Sequence, residues 1–133
     1  MTKCVHYDKV YAHVSYWTSI RILLTMIVLH NWNTKQIDYF QAFTQEPAEK
    51  DFYLKVPAGF EVKGLNKGEY ALKLHKNVFG QKQAGRVWYK YLTKKLTEEL
   101  GLERSQVYEC VFYKGNTIYV LYTDDSILAG PDQ

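Results

Sequence analysis

The chain has 133 residues, 47% hydrophobic and 23% charged, with a formal net charge of +3. This is the balance of one folded domain; it excludes a disordered chain and leaves too little length for two full-sized domains. Two cysteines exclude a disulfide framework and a four-cysteine zinc site, and the mild positive charge permits a polyanionic partner without requiring one.

Residues 1–17 read as an irregular lead-in. From Thr18 the pattern becomes helical: Ile20, Leu23, Leu24, Ile27 and Val28 fall on one stripe, with Ser15, Thr18 or Ser19 available as N-cap and Asn31 near the end. The spacing predicts a core helix laid on a sheet. The apolar run 22–29 within it is broken by Thr25 and is too short to span a bilayer. No apolar signal segment precedes it, so the expectation is an intracellular chain, neither secreted nor membrane-bound.

Residues 35–40 predict a strand whose exit carries Asp38 and leads to Ala42 and Phe43. The polar stretch 44–51, with Pro47, is expected to break it. Segments 52–56 and 70–74 read as a hairpin turning at 64–68. The clearest helix follows, with Trp88, Tyr91, Leu92, Leu96 and Leu100 on one stripe and Gly101 as its stop. The last third reads as strands 108–113, 117–122 and 126–129. The pair Asp124–Asp125 is expected in the tight turn between the last two. The predicted class is α+β, with two main helices packed on one face of a largely antiparallel sheet.

The acids carry the chemistry. Asp is a favoured turn residue, so Asp124–Asp125 alone fits a plain acidic turn. Asp38 alone fits equally well as a strand-end acid. If its strand neighbours the acidic hairpin, three carboxylates share one sheet edge and repel one another unless divalent cations lie between them. Such a set suits Mg²⁺, a hard ion that takes oxygen ligands and leaves room for phosphates. Two such ions, roughly 3.5–4 Å apart, activate an attacking hydroxyl and stabilise a leaving pyrophosphate. His6, His13, His30 and His75 show no ligand spacing. No Ser-His-Asp set, P-loop or GxGxxG is present, Gly59, Gly64 and Gly68 read as turn glycines, and Lys90, Lys94 and Lys95 read as a solvated helix face.

Three segments in order, IDYFQAF at 37–43, NVFGQKQAGRVW at 77–88 and VLYTDD at 120–125, resemble reverse transcriptases of Ty1/copia-type retrotransposons. The resemblance runs over roughly residues 7–130. It implies a reverse-transcriptase palm with part of the fingers, a single partial domain over 1–133. The upstream basic fingers segment, the thumb and RNase H are expected to be missing from it. It implies an RNA-directed DNA polymerase that uses two Mg²⁺ ions, with Mn²⁺ able to substitute. Asp38, Asp124 and Asp125 match its metal-binding catalytic triad. Phe43 matches the aromatic that excludes a ribose 2′-hydroxyl, and Ala42, Phe79 and Gly80 match the dNTP pocket. Tyr122 and Thr123 match positions beside the primer terminus. Gln81, Lys82 and Arg86 match the opening of the helix that supports the template. The chain departs from the family's pattern at Gly85, Tyr39 and His13, none of them in the triad. Implied partners are a primed RNA or DNA template, dNTPs and the missing parts of a polyprotein, in a cytoplasmic retroelement particle. The alternatives are an inert retroelement remnant that folds and at most binds nucleic acid weakly, and an unrelated α+β binding domain with an acidic turn.

Overall fold

The computed structural model describes residues 14–60, 63–64, 66 and 68–131. Most of the predicted lead-in, with Cys4, His6 and His13, lies outside the described residues, as does part of the predicted turn 64–68. The final third forms an antiparallel meander: β5 (Val111–Lys114), β6 (Thr117–Tyr122) and β7 (Asp125–Gly130). Gly115, at φ 57°, opens the two-residue turn between β5 and β6, where a residue with a side chain would be strained. β4 (Glu103–Arg104) adds outside β5, and β1 (Asn33–Asp38) adds outside β7. The five strands lie in the order β1-β7-β6-β5-β4. The two-residue β4 has no sequence signal of its own.

Two helices cover this sheet, on opposite faces. In β6, Tyr119 and Leu121 point to the side where Phe112 of β5 meets Trp88, Tyr89 and Leu92 of α2 (Ala84–Lys94). Val120 and Ile118 point the other way, with Ile127 and Ala129 of β7, and meet Leu23, Ile20 and Ile27 of α1 (Trp17–His30). The expectation of both helices on one face is therefore corrected. Its physical reason is visible in β6, where residues 118–121 are apolar without interruption, the pattern of a strand buried on both sides.

α1 is a thinner contributor to the core than its periodicity predicts. Only Ser19 and Leu23 are buried, whereas Leu24 is exposed and Val28 is 79% exposed. The helix is apolar on more than one side, so spacing alone does not say which side seats. Its N-cap is Tyr16, without a side-chain cap bond, rather than Ser15, Thr18 or Ser19. Asn31 closes it in the left-handed region, its N–H donating to the Ile27 carbonyl.

The stretch expected to break at Pro47 instead begins β2 (Pro47–Leu54), which pairs with β3 (Leu72–Lys76) as a separate two-stranded sheet. A proline as first residue of a strand forfeits no ladder hydrogen bond. α2 runs on into a π-helical turn over Lys95–Glu99 and stops before Gly101, which adopts φ 67°. Leu100 of the predicted stripe is exposed, because the wider turn rotates it off the buried face.

Cys110 is buried in the α2-side core, and burial pushes its thiol up to about 11. Folding thus favours the protonated thiol. That contribution is complete below the ordinary thiol value of 9.0 and is lost as pH rises through about 11. Thermal melts between pH 8 and 11 are expected to fall more steeply for the wild type than for Cys110→Ala. Equal slopes would show that this thiol is not buried as described.

Candidate active site

The acids converge at one corner of the five-stranded sheet. β1 ends on Asp38, whose direct partner across the ladder is Asp125, the first residue of β7. Asp125 also stands opposite Tyr122, the last residue of β6. Thr123 and Asp124 alone make the tight turn, so the expectation that both acids lie in the turn is corrected for Asp125. Asp38, Asp125 and Tyr122 share the α1-side face, since Tyr122 and Asp125 stand two positions along their strands from Val120 and Ile127. Like charges directly opposite each other destabilise a ladder, and here the strain is eased because both carboxylates are exposed to water.

The turn is pinned by its backbone. Thr123 sits at φ 58°, a conformation unusual for a β-branched residue. Its carbonyl accepts a 2.9 Å hydrogen bond from the indole N–H of Trp88, and the Asp124 carbonyl accepts a 3.0 Å bond from the Tyr39 N–H. Asp38 and Asp124, far apart in the chain, are thereby adjacent through the Tyr39 peptide.

Among the described residues no group of three His, Cys, Asp or Glu side chains is gathered closely enough to hold a metal ion. The three-carboxylate cage expected from the sequence is not formed by the side chains. Strand alternation puts Asp38 and Asp125 on one face, while Asp124 belongs to a turn whose backbone is tied to Tyr39. The residue types are those a hard dication takes, all carboxylate oxygen, and their backbones come together at one sheet corner.

The other predicted residues lie in the 3₁₀ turn after β1, in the turn before α2, in α2 itself and at the end of β6. Beyond β1 the chain passes Gln41, itself left-handed at φ 51°, into a 3₁₀ turn over Ala42–Thr44. Ala42 is buried, and the Phe43 ring lies 5.7 Å from Phe79 at 48°. Two residues predicted for one pocket from separate segments thus meet, with Phe79 otherwise 84% exposed. Gly80 follows at φ 90° in a turn where the Gln81 side-chain oxygen accepts the Val78 N–H. The helix expected to open over 81–86 begins only at Ala84, and Gln81 and Lys82 precede it. Arg86 is ion-paired with Glu49 of β2, a partner the sequence reading did not name. Tyr122 is exposed, its ring 6.5 Å from that of Trp17.

Sequence reasoning missed the layer beneath the acids. The Tyr39 hydroxyl lies 2.8 Å from the Tyr119 hydroxyl, and the Tyr39 ring meets Trp88 edge-on at 5.2 Å. Burial pushes the Tyr119 phenol far above its ordinary range, so it stays neutral and available for that bond. The helical stripe flagged Trp88 as core, but no local signal marks its indole as a donor to a turn 35 residues later.

A family model described as reverse transcriptase (RNA-dependent DNA polymerase) matches residues 2–133. The chain is 31% identical to the retrovirus-related Pol polyprotein from transposon TNT 1-94 of Nicotiana tabacum, over 98% of this chain and 10% of that protein. It is 35% identical to the corresponding polyprotein from transposon RE2 of Arabidopsis thaliana, over 95% and 9% respectively. Against the truncated transposon Ty1-A Gag-Pol polyprotein of Saccharomyces cerevisiae it is 27% identical, over 90% and 9%. The chain therefore spans about a tenth of the length of the first two of these relatives. No solved structure matches it.

Proposed function

The chain belongs to the reverse transcriptase (RNA-dependent DNA polymerase) family, and from that premise we propose that it is the palm core, with part of the fingers, of an RNA-directed DNA polymerase. The reaction is attack of a primer 3′-hydroxyl on the α-phosphate of a dNTP, forming one phosphodiester bond and releasing pyrophosphate. The observation that carries this reading is the register of β1 on β7, which sets Asp38 directly opposite Asp125 and beside the Asp124 turn.

Asp38 and Asp124 are the principal candidates to hold two Mg²⁺ ions, with Asp125 adjacent. When bound, the ions would supply activation of the primer hydroxyl and neutralisation of charge on the triphosphate. The chain's own residues would position the reactants. Phe43, braced by Phe79, offers a flat wall where a deoxyribose fits and a 2′-hydroxyl collides. Gly80 leaves open space for the nucleotide, while Ala42, buried in the core, would seat the turn that carries Phe43. Tyr122 and Thr123 would flank the primer end, and Gln81, Lys82 and Arg86 would face the template, with Glu49 orienting the Arg86 guanidinium. The partners of this reading are dNTPs, a primed RNA or DNA template and the remaining parts of a Pol polyprotein, in an intracellular, cytoplasmic particle. No helix among the described residues is long and apolar enough to cross a membrane.

The test is single-nucleotide extension of a primed template by a longer polyprotein carrying this segment. The wild type is expected to prefer dNTPs strongly, and Phe43→Ala to narrow the preference over rNTPs by about tenfold or more, the scale on which a pocket rejects one added group. Unchanged discrimination would remove Phe43 as the gate, and no extension at all by the longer wild-type chain would remove the polymerase reading.

A further inference from the structure

The turn that carries Asp124 is held from the far side of the sheet by a residue outside the acidic cluster. Trp88 is 2% exposed, and its indole N–H is spent on the Thr123 carbonyl at 2.9 Å. The acceptor belongs to a non-glycine residue in the left-handed region, a conformation that persists only when its surroundings over-determine it. The same indole packs edge-on against Tyr39. The N–H of Tyr39 in turn donates to the Asp124 carbonyl, and its hydroxyl meets that of Tyr119. Both carbonyls of the turn are therefore claimed, one by Trp88 and one by the residue that Trp88 braces.

We propose that Trp88 is a positioning residue: its N–H holds Thr123 left-handed and thereby sets where Asp124 stands relative to Asp38. It acts through the turn backbone and touches neither substrate nor metal. The proposal rests on the polymerase reading only for its consequence at the metal site; the link from Trp88 to the turn stands on geometry alone. A buried neutral donor aimed at a strained carbonyl is costly to lose, because removing it leaves the carbonyl unpaired and the strain unopposed.

The test reads amide hydrogen exchange in the isolated chain. The variants are Trp88→Phe and, because a smaller ring can loosen the core, replacement of Trp88 by 3-benzothienylalanine, which keeps the bicyclic shape without the N–H. In the benzothienyl variant the Tyr39 amide is expected to exchange at least tenfold faster, while the Phe112 amide in β5 keeps its wild-type rate. On a Thr123→Gly background, where the left-handed conformation costs little, the same replacement should accelerate Tyr39 less than threefold. An unchanged Tyr39 rate in the benzothienyl variant, or equal acceleration on both backgrounds, overturns the proposal. Mn²⁺ affinity separates it from the functional reading. Accelerated exchange together with Mn²⁺ binding that is indifferent to Asp38→Asn would leave Trp88 as the anchor of the turn and sink the metal site instead.

Discussion

Asp124→Asn is expected to reduce nucleotide addition by the longer polyprotein by roughly 10²–10³-fold or more, the scale of losing one preorganised electrostatic contact to the reacting groups. The fold should survive, because the turn that carries the half-buried Asp124 is held by backbone bonds, from Trp88 and Tyr39, that do not involve its carboxylate. Asp125→Asn is expected to behave differently. It removes one of two like charges facing each other across the β1–β7 ladder, so the metal-free chain should gain about 0.2–1 kcal/mol. Thermal unfolding without divalent ions, set beside primer extension with them, checks both. An Asp124→Asn chain that extends primers at the wild-type rate would strip that residue of its role.

The second large effect is structural. Phe112→Ala is expected to cost about 3–5 kcal/mol, because the ring is 0% exposed and its loss leaves a cavity between β5 and α2 that Tyr119 and Trp88 cannot close. For a domain of this size that corresponds to a fall in Tm on the order of 10–20 °C. The position lies on the α2 side of the sheet and away from the acidic corner. A loss below about 1 kcal/mol would contradict the two-sided core described above.

Much of this architecture is legible in the chain, and the exceptions have identifiable causes. The strand ending on Asp38, the meander of the last third and the helix through Trp88 are strong periodic segments bounded by glycine or acidic turns, and each is found near its expected place. The sidedness of the helices is not legible in their own periodicity; it lies in the uninterrupted apolar run at 118–121, a strand that needs cover on both faces. Pro47 signals a break by its residue type, although the first position of a strand asks nothing of its nitrogen. The depth of α1 is not legible because its apolar residues cover more than one side, and tertiary packing selects the side of Leu23. At the site, residue types and spacing point to the acids, whereas Phe43 and Phe79 are marked only by the resemblance to the family. The bond from Trp88 to Thr123 is a tertiary contact between a helix and a turn, and no local pattern encodes it.

The central claim is that Asp38 and Asp124, far apart in sequence, belong to one metal site, and Mn²⁺ binding to this chain tests it most directly. Paramagnetic broadening or calorimetry on the wild type, Asp38→Asn and Asp124→Asn would give the comparison, with circular dichroism to establish that each variant is folded. Each substitution is expected to weaken binding by at least tenfold. If Asp38→Asn binds Mn²⁺ as the wild type does, the acids do not act together, and the chain is an inert remnant of its polymerase family.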